Sequence, residues 1–340
     1  MAIGAAGVLG VNFDALDITI FTRGAIVSAT TNIFSVTLNG EVTTFSGVDL
    51  TYNAAGRPSG GAIDRLTDVY LGQSVYEISG FSIPAAQLLA WAQAGDTASA
   101  KAAILAGADT LTGSAVFDLI RAYDGDDSIS AGAGDDGIDG GAGNDTVNGG
   151  AGADNIVELS GSNYLRGDEG NDTITGGVGF DDINGNMGND TAAGGLGDDW
   201  VVGGRDNDTL SGGAGSDLVY GNLGADVCLG GDGNDIIRGG QENDSCSGEA
   251  GDDFVSGDRG DDTLSGGAGA DRFNTFGDAG LDRVVDFSRA QGDRVQLDPG
   301  TVYTVAQVGA DTVISMTGGG QMVLVGVTMS TLTGDWIFGA

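Results

Sequence analysis

The sequence predicts an all-β-dominated protein: a solenoid of very short strands, with a small β-rich module before it and capping strands after it. Three observations predict this. From residue 122 to residue 274 a nine-residue pattern, G-G-x-G-x-D-x-U-x with U a large apolar residue, runs through seventeen units in one register. The same stretch holds 32 Asp and Glu against five Arg, a net of -27 of the chain's -36. One apolar residue in nine is too sparse for a helix face or an ordinary alternating strand. It suits stacked coils in which each unit is a glycine-rich turn and a short strand, with U pointing inward and its two neighbours outward.

Composition narrows the chemistry. With 340 residues, 40% of them apolar, the chain can bury a core. The local acidic field repels nucleic acid and anionic membranes and attracts cations. Histidine is absent and Lys101 is the one lysine, which excludes a histidine zinc site, a Ser-His-Asp triad and a histidine general base. No apolar run reaches the ~18 residues of a transmembrane segment. The opening MAIGAAGVLGVNFDALD has neither a basic n-region nor a long apolar h-region, so a cleaved N-terminal signal is not expected.

Residues 1–103 form the first expected domain. Residues 1–81 are β-rich: NIFSVTLNGEVTTF is a hairpin with Asn39-Gly40 as a type I′ turn, and DRLTDVYLGQSVYEISGF is a second. Ser82 and Pro84 open a helix through PAAQLLAWAQAG, in which Leu88, Leu89 and Trp91 are core residues, and a shorter helix follows at ASAKAAILAG. No catalytic or binding motif is legible here.

The second domain, residues 104–274, is the array. Two degenerate units, ILAGADTLT and GSAVFDLIR, begin it and place Asp109 and Asp118 at position six. In the seventeen regular units position six is aspartate from Asp127 to Asp271, with Asn163 the one departure. Position eight is apolar from Ile129 to Phe273. Cys228 and Cys246 occupy it in units two apart, either as a disulfide or as small apolar fillers. Alternate units lie on opposite sheets, so Tyr164, Trp200, Leu218, Ile236 and Phe254 at position seven, with Val202 and Tyr220 at position nine, form an outward apolar stripe. Either another part of the chain or a second subunit covers such a patch.

The nonapeptide array resembles the RTX family of secreted bacterial proteins. The resemblance implies a parallel β-roll in which calcium lies between turns two units apart, held by position-six aspartates and by backbone carbonyls of the glycine-rich turns. The implied ligands are Asp109, Asp127, Asp136, Asp145, Asp154, Asp172, Asp181, Asp190, Asp199, Asp208, Asp217, Asp226, Asp235, Asp244, Asp253, Asp262 and Asp271. Pairing Asp127 with Asp145, and so on to Asp253 with Asp271, gives about 15 ions, whose charge of about +30 offsets the acidic segment. Oxygen ligands suit calcium, and without it like charges would stack one strand spacing apart. The unit ELSGSNYLR (158–166) lacks both the glycine pair and the aspartate, so the sites beside Asn163 either fill or give way to a plain structural coil. Asp206 and Glu242 replace the position-four glycine.

Residues 275–340 are the third domain. GLDRVVDFSRAQGDRVQLD resembles the closing segment of RTX proteins, and QMVLVGVTMSTLTGDWIFGA resembles the uncleaved signals read by type I secretion machinery. Residues 1–103 resemble the small modules that precede RTX arrays in some bacterial surface proteins. The expected protein is therefore a secreted, calcium-binding structural protein of a Gram-negative bacterium. It would fold on calcium outside the cell and self-assemble into a layer or filament. Its partners would be copies of itself, the export machinery and cell-surface polysaccharide. An adhesin or carbohydrate-binding protein is the alternative. A secreted enzyme with its site in residues 1–103 is a third class, disfavoured because HExxH and GxSxG are both missing.

Overall fold

The structure, a computed structural model, describes residues 25–339 apart from 31–32, 39–40, 56, 71–72, 95–104 and 106. The chain divides into two compact units, Met1–Tyr164 and Leu165–Ala340. It is mostly β, with one α-helix among the described residues and a parallel β-solenoid.

In the first unit, β1 (Ala25–Ala29), β2 (Ile33–Leu38), β3 (Glu41–Tyr52), β4 (Pro58–Tyr70) and β5 (Gln73–Pro84) form an antiparallel meander, each strand pairing with the next. Leu38 lies opposite Glu41 and Tyr70 opposite Gln73, as the two expected hairpins require. The Asn39-Gly40 turn itself lies outside the described residues. Phe45, Leu50 and Ile63 are buried beneath the meander. Pro84 closes β5 instead of opening the helix, and α1 (Ala85–Ala94) starts one residue later. Leu88 and Leu89 are buried, as expected, while Trp91 is half-buried. Most of the second expected helix falls outside the described residues.

The meander feeds directly into the coils. β5 pairs antiparallel with Thr110–Thr112 through Ile78 and Leu111, and Thr110–Thr112 pairs in parallel with Ser128–Ala133. An antiparallel strand thus covers the open edge of the first coil, where unpaired backbone groups would invite aggregation. Ser128–Ala133 then pairs with Thr146–Ala151, and Leu119–Arg121, Gly137–Ala142 and Asn155–Ser160 stack in the same way on the other face.

The second unit repeats this step of two nonapeptides. One ladder runs Trp200, Leu218, Ile236, Phe254, Arg272; the other runs Thr173, Thr191, Thr209, Val227, Ser245, Thr263. Burial alternates along each strand, and every position-eight side chain from Ile129 to Phe273 is at most 2% exposed. Each such larger aliphatic or aromatic side chain contributes roughly 1.5–3 kcal/mol by leaving water. Glycine serves two purposes in the turns. Gly231 and Gly233 adopt φ of +114° and +145°, which side-chain-bearing residues resist. Gly230 is needed for space, as its place beside the carboxylates shows below. Asp206 and Glu242, in the place of the position-four glycine, sit at φ of +73° and +80°, the left-handed helical region that a residue with a Cβ can enter at some cost.

Parallel stacking continues past residue 274. Thr263 pairs with Arg283 and Phe273 with Val295, so short insertions shift the register without ending the coils. Leu281–Val284 pairs in parallel with Gln321–Leu324, which belongs to an antiparallel sheet with Tyr303–Val308 and Asp311–Met316. Ile337–Phe338 lies parallel on Arg294–Leu297, Trp336 is buried, and Arg294 pairs with Asp335 at 2.9 Å. The closing Asp-Trp-Ile-Phe segment is therefore part of the cap.

Candidate metal centres

The position-six aspartates form buried ladders. Each is at most 4% exposed, from Asp109 to Asp271. One oxygen is used within the chain: the amide of Asp109 donates to Asp127 Oδ1 at 2.7 Å, that of Asp199 to Asp217 Oδ1 at 2.8 Å, and that of Asp253 to Asp271 Oδ1 at 3.1 Å. The same contact links Asp118 to Asp136, Asp127 to Asp145, Asp136 to Asp154, Asp172 to Asp190, Asp181 to Asp199 and Asp190 to Asp208. It continues from Asp208 to Asp226, Asp217 to Asp235, Asp226 to Asp244, Asp235 to Asp253 and Asp244 to Asp262. Asn163 Oδ1 plays the same part for the Asp145 amide at 2.9 Å, because an amide oxygen accepts this bond as well as a carboxylate does.

The second oxygen is different. Oδ2 of Asp109, Asp127, Asp136, Asp145, Asp190, Asp199, Asp208, Asp217, Asp226, Asp235, Asp244, Asp253, Asp262 and Asp271 is buried and meets no donor of the chain. Asp154, Asp172 and Asp181 are buried at the same point of their units. From Asp172 to Asp271 the first glycine of the unit stands beside the carboxylate. A Cβ on Gly230 would lie 2.5 Å from Asp235 Oδ2 and 2.7 Å from the Gly248 carbonyl oxygen. The same collision recurs at Gly194 with Asp199 and Gly212, at Gly221 with Asp226 and Gly239, and at Gly248 with Asp253 and Gly266. A carboxylate oxygen and a carbonyl oxygen thus converge against a bare α-carbon in several units.

Such a carboxylate is costly without a partner. Burial pushes the carboxyls of Asp127, Asp190, Asp199, Asp217 and Asp271 up to about 6. It takes those of Asp109, Asp136, Asp208 and Asp253 to about 7 and that of Asp244 to about 8. The amide hydrogen bond from the preceding coil opposes burial, for instance at Asp217, and repulsion from neighbouring carboxylates adds to it. An ionised group buried without compensation costs several kcal/mol, more than one position-eight side chain returns. Among the described residues no three acidic or thiol side chains cluster. What converges is carboxylate plus backbone carbonyl, an all-oxygen donor set that fits a hard, geometrically tolerant cation such as calcium. The position-six Oδ2 atoms and the position-one carbonyls would hold it, and its charge would compensate the ladder.

Two carboxylates that the nonapeptide register misses also join the ladders. Asp282, fully buried, stands beside Asp262, and its carboxyl rises to about 8 through burial and repulsion from Asp262. Its Oδ1 meets no donor, while Thr275 Oγ1 donates to Oδ2 at 3.0 Å. Asp293 Oδ1 accepts from the Asp271 amide at 3.2 Å. The signals were Gly280-Leu281-Asp282-Arg283-Val284 and Gly292-Asp293-Arg294-Val295, which keep the end of the repeat unit after a change of phase.

The stripe forms as a ladder. Trp200, Leu218, Ile236 and Phe254 are successive partners, as are Val202 and Tyr220. Trp200 is 52% and Ile236 47% exposed, and Leu218, Phe254, Val202 and Tyr220 are half-buried. Phe180 packs edge-on against Trp200 at 5.7 Å, and the Arg238 guanidinium lies 5.6 Å from the Tyr220 ring centre. Tyr164, in the first unit, is 46% exposed. Cys228 and Cys246 are buried partners in one ladder with free thiols. They serve as small core residues.

A family model described as RTX calcium-binding nonapeptide repeat (4 copies) matches residues 105–138, 123–156, 159–192, 193–228, 229–255 and 247–275. Among solved structures, the extracellular lipase LipA of Serratia marcescens is similar at 19% identity and a TM-score of 0.23, over 50% of this chain and 40% of the lipase. The chain thus spans less than half of that enzyme's length. No curated protein matches.

Proposed function

We propose, for a chain that belongs to the RTX calcium-binding nonapeptide-repeat proteins, that calcium is its folding switch and that the folded product is an extracellular structural protein. The observation that carries this is the column of buried aspartate Oδ2 atoms without a donor. At low cytosolic calcium the acidic array stays open and passes through type I export machinery, whose signals the closing segment resembles. At the millimolar calcium outside a Gram-negative cell the sites fill, and coupling between adjacent coils makes the transition sharp. The number of ions is about 15 by the pairing of position-six residues. Circular dichroism across a calcium titration tests the switch: β signal rises cooperatively with calcium and falls in chelator at pH 7.5 to what strands β1–β5 contribute. Full β content in thoroughly demetallated protein would overturn it.

The exposed ladder from Trp200 to Phe254 supports self-assembly into a layer or filament, since monomers seldom leave such a patch bare. Electron microscopy is expected to show assemblies with calcium that chelator dissolves. Trp200→Ser with Phe254→Ser should abolish them and leave the calcium-loaded dichroism unchanged. A strictly monomeric calcium-loaded protein at high concentration would move the reading to an adhesin that binds surface polysaccharide through residues 1–103.

A further inference from the structure

The unit that breaks the repeat most severely is Glu158–Arg166, with Glu158 in place of the first glycine and Asn163 in place of the aspartate. One carboxylate is lost and another gained, and the structure shows where the gained one goes. Glu158 is 3% exposed. It sits where the pairing of Asn155–Ser160 with Gly137–Ala142 slips, with the register shifting on both sides of it. Bulges of this kind re-aim a side chain. Here the side chain turns back onto the preceding coil: a Cβ on Gly140 would collide with both Glu158 carboxylate oxygens and lie 2.6 Å from its Cδ. In regular units that collision is with the position-six Oδ2, and in several of them also with the next coil's carbonyl. The corresponding aspartate is Asp145. Its Oδ2 is buried and meets no N–H or O–H donor, and the Glu158 carboxyl lies beside the Asp145 carboxyl.

Glu158 brings a second carboxylate to the wall against which, in regular units, the position-six Oδ2 stands. Two carboxylates in one buried cradle cannot both ionise without a cation between them.

We infer that Glu158 and Asp145 form a relocated calcium site, in which a glutamate from position one replaces the aspartate that Asn163 no longer supplies. The coil at 158–166 is therefore a working member of the array. This rests on the calcium reading above, and the test separates the two.

Native mass spectrometry and calcium titration of the full chain count the ions. Glu158→Gln should carry one ion fewer than the parent, or bind one ion at least tenfold more weakly, with unchanged dichroism at saturating calcium. Glu158→Gly restores the ordinary glycine and should lose the same ion. Glu158→Gly with Asn163→Asp returns the carboxylate to position six and should regain it. If Glu158→Gln fails to fold while the double variant folds with a full complement, the requirement for one carboxylate in either place stands. Full stoichiometry and unchanged affinity in both single variants would overturn the inference. A parent chain that binds no calcium would instead overturn the calcium reading itself.

Discussion

The interior of each ladder and one of its two ends treat the same carboxylate in opposite ways. In the interior, from Asp190 to Asp262, one oxygen accepts an amide and the other is buried with no donor. At Asp118, which begins one ladder, and at Asp293, which ends the other, the chain supplies donors. Ser114 gives its amide and its hydroxyl to Asp118, and Ser288 gives its amide to Asp293 Oδ2 at 2.7 Å. A buried carboxylate needs either several donors or a cation, and the donors that end a stack are the ones withheld inside it. The interior is built to be incomplete without metal.

Chelation is expected to have the largest effect. In excess chelator at pH 7.5, hydrogen exchange should show loss of amide protection throughout the stacked coils. Strands β2–β5 should keep theirs, because Phe45, Leu50 and Ile63 give them an apolar core independent of the ladder. Equal loss in both regions would mean that the meander depends on the coils. Next in size is a single interior change. Asp217→Ala removes both the acceptor for the Asp199 amide and the donorless Oδ2 that is proposed to hold calcium. Calcium-loaded protein should lose at least one ion and roughly 2–4 kcal/mol of stability, summing a lost acceptor and an unmade charge pair. Asp217→Asn keeps the acceptor, as Asn163 does. It should lose the ion yet leave the metal-free chain more ordered than the parent at neutral pH, which thermal melts in calcium and in chelator would show.

Acidification should substitute in part for calcium. The interior carboxyls lie well above the ordinary aspartate value of 3.8, at about 6 for Asp217 and about 8 for Asp244. A raised folded-state value favours the folded form when the group is protonated. That contribution is full below about 3.8 and is lost as pH rises through 6 to 8. Metal-free protein should therefore gain β dichroism as pH falls from 8 to 5, and apparent calcium affinity should weaken over the same interval as protons compete. No gain of order in chelator at pH 5 would show that the ladder's charge is not what keeps the array open.

Much of this was legible in the sequence because the repeat constrains every level at once. Position six gave the buried aspartates, position eight the core from Ile129 to Phe273, and positions seven and nine the stripe, each by side-chain alternation from a fixed register. Legibility failed where the register moved. Asp282 and Asp293 escaped because insertions shift their phase, although the short Gly…Asp-Arg-Val pattern survives. Glu158 was unreadable for another reason: an acid at a glycine position gives no direction to its side chain until the slipped pairing with Gly137–Ala142 is seen. Phe180 was missed because it belongs to the turn that precedes Asp181 and reaches Trp200 only through the fold. Pro84 was misassigned to the helix because a proline suits the last residue of an edge strand as well as a first helical turn.

The smallest expected effect lies at the N-terminal closure and tests the contrast most closely. Ser114 reaches Asp118 through two donors, so Ser114→Ala removes the hydroxyl at 3.1 Å and leaves the amide in place. The loss should be about 1 kcal/mol, the net worth of one hydrogen bond at a part-buried site. The calcium count should not change, because what holds Asp118 is protein. The same measurement on Ser114→Gly adds backbone freedom to the lost hydroxyl, so it should cost slightly more and still leave the count alone. If either variant took up an additional ion, the hydroxyl would be what keeps metal from Asp118. Closure would then be a matter of exclusion by one side chain, and the serine would mark where the ladder that starts at Asp118 becomes a metal ladder.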